Sequence, residues 1–168
     1  SAAGTLHLPL KPLSLAAVTQ LSQNKRVDTG ALYAATGGNP FFVTEVLDSG
    51  SGRVPETVRD AILARLARLT LSGRAALDAA AIIGTRVEPW LLQDVTAAEA
   101  GHIDESMDVG FLIAREHELE FRHELVRQVL LTELAPHRAL FLHRAVLEAL
   151  KRHGFAERYL ARLVNHAV

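Results

Sequence analysis

The spacing of apolar residues along the chain is mostly that of α-helices. Leu15, Val18 and Leu21, for example, recur every three residues and so share one side of a helix. Capping residues, prolines and glycines mark where such segments begin and end. Together these signals predict helices over residues 14–22, 28–36, 39–49, 55–70, 72–83, 88–93, 96–110, 123–134, 136–153 and 155–167.

One stretch instead alternates apolar and polar residues. The sequence FLIAREHELEF, residues 111–121, predicts strands over Phe111–Ala114 and Leu119–Phe121 with a tight polar turn between them. Three helices followed by such a hairpin have the order of a winged helix, here residues 72–122. The two last helices are expected to form an antiparallel pair. The predicted fold class is therefore mainly α: a helical bundle, a winged-helix domain with one short β-hairpin, and an antiparallel helix pair.

Composition agrees with a mainly helical protein. Ala and Leu dominate an apolar fraction of 49%, whereas aromatic residues make up only 5%, and this bias favours helices over sheets. The absence of cysteine excludes disulfides and fits a cytoplasmic location. No long uncharged apolar run exists, so we expect no membrane span. Pro9 and Pro12 break the opening residues, which look cut from a longer protein.

The charge of the predicted winged helix argues against DNA binding. Between Thr85 and Arg122 there are three basic residues (Arg86, Arg115 and Arg122) and nine acidic ones (Glu88, Asp94, Glu99, Asp104, Glu105, Asp108, Glu116, Glu118 and Glu120). DNA binding depends on neutralising phosphates, with roughly six or more contacts in typical binders. We therefore expect a packing module with no direct DNA contact.

No motif for catalysis is present. The chain lacks a GxxxxGK[ST] phosphate loop, a GxSxG elbow and an HExxH zinc motif. His137 and His143 are six residues apart, which places them on different sides of a helix and makes a poor metal pair. We expect no metal site and no enzyme activity from this chain alone.

Two sharp corners stand out, each at the start of an apolar helix. Asn39 and Pro40 follow a glycine pair, and Arg122 and His123 follow the hairpin. Helix N-termini carry free N–H groups and a partial positive charge that suit phosphate. Proline offers a rigid apolar face to an aromatic ring, and histidine can donate a hydrogen bond to an oxyanion. From the residues alone, both corners are more often structural than functional.

Three segments in order resemble a known family. GNPFFVTEVL, VPETVRDAILARLARL and FRHELVRQVLLTEL are similar to the large ATP-dependent LuxR-type regulators, MalT-like members of the STAND ATPases related to the AAA class. The resemblance covers nearly the whole chain. It implies that residues 1–11 end an upstream P-loop ATPase domain, 12–70 form a helical lid, 71–134 a winged helix, and 135–168 the start of helical repeats. In that family a DNA-binding helix-turn-helix follows the repeats.

The resemblance assigns a role to the first corner. Gly38, Asn39 and Pro40 match the family's GxP motif, whose proline packs near the adenine of a bound nucleotide. Phe41 and Phe42 are then expected to anchor this corner in the core.

The resemblance also assigns a role to the second corner. Arg122, His123 and Glu124 match the MHD motif, whose histidine contacts the β-phosphate of ADP in the inactive state. Met is replaced here by Arg and Asp by Glu, so the usual carboxylate contact is altered. Arg122 and Arg127 are candidates for additional phosphate charge.

The implied function is a nucleotide switch. With ADP bound, Pro40 and His123 hold the lid and winged helix closed over the ATPase domain, and exchange to ATP releases the winged helix for assembly. The implied cofactor is ATP or ADP in the full-length protein, with none expected in this segment. The implied partners are the upstream ATPase domain of the same chain, the downstream repeats and, on activation, a second copy. A freestanding protein-interaction module is the alternative, and a DNA-binding repressor is a weaker one.

Overall fold

The computed structural model describes residues 11–50, 54–97 and 99–153. The chain divides into two compact units, Ser1–Pro55 and Glu56–Val168. In chain order the described elements are α1 Leu15–Ser22, α2 Thr29–Thr36, α3 Pro40–Ser49, α4 Glu56–Leu66, α5 Leu71–Ile83, β1 Arg86–Val87, α6 Pro89–Thr96, α7 Ala100–Asp108, β2 Leu112–Arg115, β3 Glu118–Phe121, α8 Glu124–Glu133 and α9 Pro136–Arg152. Over the described residues the fold is mainly helical with one short β-hairpin, which confirms the prediction of a mainly α fold with such a hairpin.

The described part of the first unit contains three short helices, α1 to α3, around a small apolar core. Val18, Leu32, Val43 and Leu47 form this core, so each helix contributes to it. α2 packs against both α1 and α3. The apolar spacing seen in the sequence therefore corresponds to the buried side of each helix.

Side-chain caps fix where these three helices begin. Ser14 accepts a hydrogen bond from Ala17 N at 3.2 Å, and Asp28 accepts one from Ala31 N at 3.0 Å. Such caps satisfy N–H groups that the helix itself leaves without a partner. The starts of these helices were predicted correctly for this reason.

The second unit is built around α5. Every residue from Ala76 to Ile83 is buried, and α5 contacts α6, α7, α8 and α9. Its run of alanines lets the surrounding helices approach closely, while Leu77 and Ile82 supply apolar bulk. This central helix therefore positions the elements on which the second corner depends.

The sheet of the second unit has three antiparallel strands in the order β1-β3-β2. Val87 pairs with Leu119, and Ala114 pairs with the same residue from the other side. The order helix, strand, two helices, hairpin from α5 to β3 is that of a winged helix. Strand β1 was not predicted because two residues are too few to display an alternating pattern.

The boundary between α4 and α5 differs from the prediction. α4 ends at Leu66 rather than near Thr70, and Thr70 rather than Ser72 caps α5 by accepting a hydrogen bond from Gly73 N at 3.0 Å. Thr70 is held in this role by Glu105 of α7, which bonds its backbone N–H and hydroxyl. That contact comes from distant sequence, so local signals could not reveal it.

The start of α7 was also predicted wrongly. Thr96 belongs to the end of α6, where its hydroxyl donates to Leu92 O at 2.7 Å. α7 instead begins after Glu99, whose N–H donates to the ring nitrogen Nδ1 of His102 at 3.2 Å. Threonine suits both a cap and the last turn of a helix, and here the second use prevails.

Some predicted elements lie outside the described residues, and the predicted division into functional domains is not tested by the fold. The helix over 155–167, and with it the antiparallel pair, falls outside the described part, as does most of 1–11.

The predicted lid, residues 12–70, includes α4, but α4 belongs to the second compact unit. Within that unit, Arg59 of α4 bonds Glu133 of α8 at 2.7 Å. The functional division into domains stays a prediction.

Candidate functional site

The first predicted corner is a turn that requires glycine. Gly37 and Gly38 both have left-handed backbone angles, with φ of 57° and 71°. The carbonyl of Gly38 accepts a hydrogen bond from Leu13 N at 2.7 Å. A side chain at Gly38 would overlap the Leu13 carbonyl oxygen and press on the Tyr33 ring. The turn therefore holds the chain entering α1 directly against the start of α3.

Asn39 and Pro40 form the start of α3 as predicted. Asn39 caps the helix by accepting from Phe41 N at 3.1 Å and Phe42 N at 3.4 Å, and Pro40 occupies the first helical position. These bonds use the N–H groups that a helix start would otherwise offer to an anion. The corner therefore presents the apolar proline ring rather than a phosphate cradle.

The two phenylalanines after Pro40 have different environments. Phe42 is 4% exposed, which confirms its predicted anchoring role. Phe41 is 44% exposed, so the prediction that it also anchors the corner in the core is wrong. The buried side of α3 is formed by Phe42, Val43 and Leu47, and adjacent helical positions point about 100° apart. An exposed aromatic ring next to Pro40 enlarges the apolar surface of this corner.

The second predicted corner joins the wing to α8. Arg122 N donates to Phe111 O at 2.9 Å, which extends the hairpin by one bond. His123 then has extended backbone angles and marks the start of α8, where its carbonyl accepts from Val126 N at 3.0 Å. The Arg122 side chain is exposed, and His123 and Glu124 are partly buried. His123 is thus fixed between a strand and a helix.

Glu124 and Arg127 pair with each other within α8. Glu124 Oε1 lies 2.8 Å from Arg127 Nη1, and both side chains are about three-quarters buried, at 27% and 21% exposure. Arg127 Nε also donates to Ala81 O, in the last turn of α5, at 3.1 Å. A cation at a helix C-terminus stabilises the carbonyls exposed there. In this conformation Arg127 bonds the protein rather than an anion, and Arg122 is the more accessible cation of the two.

The six predicted site residues thus form two local groups. Residues 38–40 lie in the first unit, and residues 122–124 lie in the second. The meeting of both groups at one nucleotide stays a prediction.

The outer surface of the winged helix is acidic. α7 exposes Asp104 and Asp108, and the wing turn exposes Glu116. Arg86 and Arg115 both lie near Glu120, at 3.9 and 3.7 Å. Two of the basic residues in this region therefore face a carboxylate of the sheet.

A groove between α5, α6 and α9 was not predicted. It has a volume of about 620 Å³ and is lined by Ala75, Val95, Thr96, His137, Arg138, Phe141 and Leu142. Phe141 is 67% exposed and its neighbour Leu140 is 62% exposed. The sequence feature that could have indicated this groove is the apolar run of residues 139–142. Four consecutive apolar residues are more than the buried side of a single helix requires.

Within the described ranges, no cluster of three or more histidine or carboxylate side chains is arranged to hold a metal ion. Among the described helices, none combines the length and the apolar character needed to cross a bilayer.

The described residues form a mainly helical protein in which α5 to β3 have the element order of a winged helix. No protein-family model, curated protein sequence or solved structure matches the chain. The resemblance to ATP-dependent regulators therefore rests on the quoted segments.

Proposed function

We propose that this chain is the nucleotide-sensing segment of an ATP-dependent transcriptional regulator of the cytoplasm, and that it holds the ADP-bound state closed. The observation that carries the proposal is the position of His123. It is fixed between the last strand of the wing and the first turn of α8, at the site the family resemblance assigns to the phosphate contact. A ligand that forms a hydrogen bond with the His123 imidazole would therefore influence the positions of both β3 and α8.

The first corner supports a contact with the base of the nucleotide rather than its phosphates. Asn39 already bonds the N–H groups of Phe41 and Phe42, so few donors are left for an anion. Pro40 and the exposed part of Phe41 offer an apolar surface. This chemistry agrees with a proline that packs near adenine.

The second corner supports transmission of a phosphate contact into the fold. Arg122 N is bonded to Phe111 O at the base of the wing, and Arg127 connects α8 to the end of α5. A phosphate that binds His123 in one nucleotide state and not in the other would bias the position of the wing relative to its partners. Such differential contact is what a population shift requires.

Two observations test the proposal: the amino-acid sequence that precedes residue 1 in the full-length protein, and the nucleotide that is bound to that protein after purification. A P-loop within about one domain length of residue 1 is required. The protein that includes this domain should be purified with ADP bound, whereas the present chain alone should bind ADP weakly in titration calorimetry because half of the site is missing. Tight ADP binding by the present chain alone would contradict this division.

A second candidate function is a protein-interaction module, and the groove beside Phe141 favours it. An exposed aromatic residue at the edge of an apolar groove is typical of docking surfaces. A DNA-binding repressor is disfavoured by the exposed acidic residues of α7 and the wing turn. Absence of an upstream P-loop would favour the interaction module over the nucleotide switch.

A further inference from the structure

We propose that the groove between α5, α6 and α9, called here the α9 groove and lined by the seven residues given above, binds an acidic amphipathic helix of a partner protein. This site is separate from both corners. The proposal rests on the apolar character of the groove and on the charge of its rim.

The groove is built to receive apolar side chains. Val95 of α6 and Leu142 of α9 line it, and Ala75 of α5 keeps it open because its side chain is small. Phe141 stands at the groove with two-thirds of its surface exposed. A volume of about 620 Å³ accommodates several side chains of a docked helix. In this recognition mode, anchors at helical spacing enter a groove between helices.

The exposed charges on the first part of α9, which borders the groove, are those of two arginines, Arg138 and Arg144. The first two-thirds of α9, residues 136–147, contain Arg138, Arg144, His137 and His143 but neither Asp nor Glu. His137, Arg138 and Arg144 are all exposed. A partner surface with carboxylates beside its apolar residues would complement this charge and associate faster at low salt.

Carboxylates near the groove are engaged within the fold. Asp78 is buried and bonds Arg74 at 2.9 Å, with Arg138 at 3.7 Å on its other oxygen. Asp94 lies 3.1 Å from Arg152. Asp78 thus faces two arginines, one of which is Arg138 of the groove, and the positive charge that remains exposed on this side of α9 is that of Arg144.

A separate partner fits this surface better than a second copy of the chain. The acidic surface of the same protein lies on α7 and the wing turn, not on α9. Pairing of the basic face of one copy with the acidic face of another would give a closed dimer only if both faces met at one two-fold axis, and otherwise a ring or an open chain.

The test is fluorescence anisotropy of the intact chain with a labelled synthetic helix. The probe is a peptide of about 18 residues, with Leu and Phe at helical spacing and Glu elsewhere, and a matched peptide carries Lys in place of Glu. We expect the Glu peptide to bind at least about tenfold more tightly than the Lys peptide, and more weakly at about 0.5 M salt.

Two exposed substitutions locate the binding site. Phe141→Ala removes the apolar anchor and Arg144→Glu reverses the rim charge, and each should weaken binding of the Glu peptide by about tenfold. Leu21→Ala is the matched control, because Leu21 is a half-exposed apolar residue in the first unit. It should leave peptide affinity unchanged, and circular dichroism should show all three variants folded.

Three results would overturn the proposal. The first is absence of binding by the Glu peptide, and the second is equal binding of the Glu and Lys peptides. The third is self-association of the chain in sedimentation experiments that Phe141→Ala abolishes, because the groove would then bind a second copy.

Discussion

Glu105 on α7 holds the N-terminus of α5 through Thr70. Its carboxylate accepts from the backbone N–H of Thr70 at 3.0 Å and from the hydroxyl at 2.9 Å. Thr70 in turn caps α5 by accepting from Gly73 N. One acidic side chain thus fixes the start of the central helix of the second unit.

The first prediction concerns the acid stability of this contact. The backbone N–H of Thr70, followed by its hydroxyl, lowers the pKa of Glu105. A carboxyl whose pKa is lower in the folded state stabilises the fold above its unfolded pKa, and this contribution is lost as pH falls through the folded value. Glu105→Gln should therefore lower stability at neutral pH and make it less dependent on pH in the acid range. Urea unfolding across pH measures this.

The control for this prediction is Asp104→Asn. Asp104 is the exposed neighbour of Glu105 on α7. The free energy of unfolding of Asp104→Asn should fall with pH in the acid range as it does in the wild-type protein. If Glu105→Gln keeps the wild-type pH dependence, the contact with Thr70 does not contribute to acid stability.

The second prediction concerns Gly73, which lets Glu105 approach α5. A Cβ at this position would lie 2.5 Å from Glu105 Oε2. Glycine to alanine inside a helix normally stabilises by roughly 1 kcal/mol. Here Gly73→Ala should instead destabilise, because Glu105 must give up its bonds to Thr70.

A double-mutant cycle isolates this clash. In a Glu105→Ala background the obstructing carboxylate is absent, so Gly73→Ala should become neutral or stabilising by up to about 1 kcal/mol. Free energies of unfolding for the four proteins give the coupling. Equal effects of Gly73→Ala in both backgrounds would show that the carboxylate is not the obstacle.

The third prediction concerns the end of α6. Ala97 occupies the left-handed position that terminates the helix, with φ of 52°. A non-glycine residue in this conformation is disfavoured by roughly 1 kcal/mol. Ala97→Gly should therefore raise the free energy of unfolding by about that amount.

The same substitution elsewhere serves as its control. Ala64 is exposed within α4, where glycine should destabilise by about 1 kcal/mol. Opposite signs for the two variants are expected. Destabilisation by both would mean that the backbone at Ala97 is not strained in solution.

The sequence predicted elements where the determining contacts are local. Asn39 and Pro40 identified the start of α3 because cap and helix are adjacent in the chain. Thr70 was missed as a cap because its role depends on Glu105, thirty-five residues later. Strand β1 was missed because its pairing with β3, not its own pattern, defines it.

The candidate site could be predicted only in part for the same reason. Glycine, proline and a hairpin mark the corners locally, so the starts of α3 and α8 were predicted correctly. Local spacing did not reveal that Arg127 bonds Ala81 of α5, which is forty-six residues away. The α9 groove combines three helices, and only their packing brings Ala75, Val95 and Phe141 together.

The central claim, a nucleotide contact at His123, is tested most directly by ADP affinity. The measurement uses the longer protein that includes the expected upstream ATPase domain, with His123→Ala and, as control, His117→Ala from the exposed turn of the wing. Loss of a hydrogen bond to a charged phosphate corresponds to about 1.5–3 kcal/mol. We predict that His123→Ala weakens ADP binding by about tenfold or more and raises basal transcription, while His117→Ala changes neither. Equal ADP affinity in the two variants, with unchanged basal transcription, would contradict the claim.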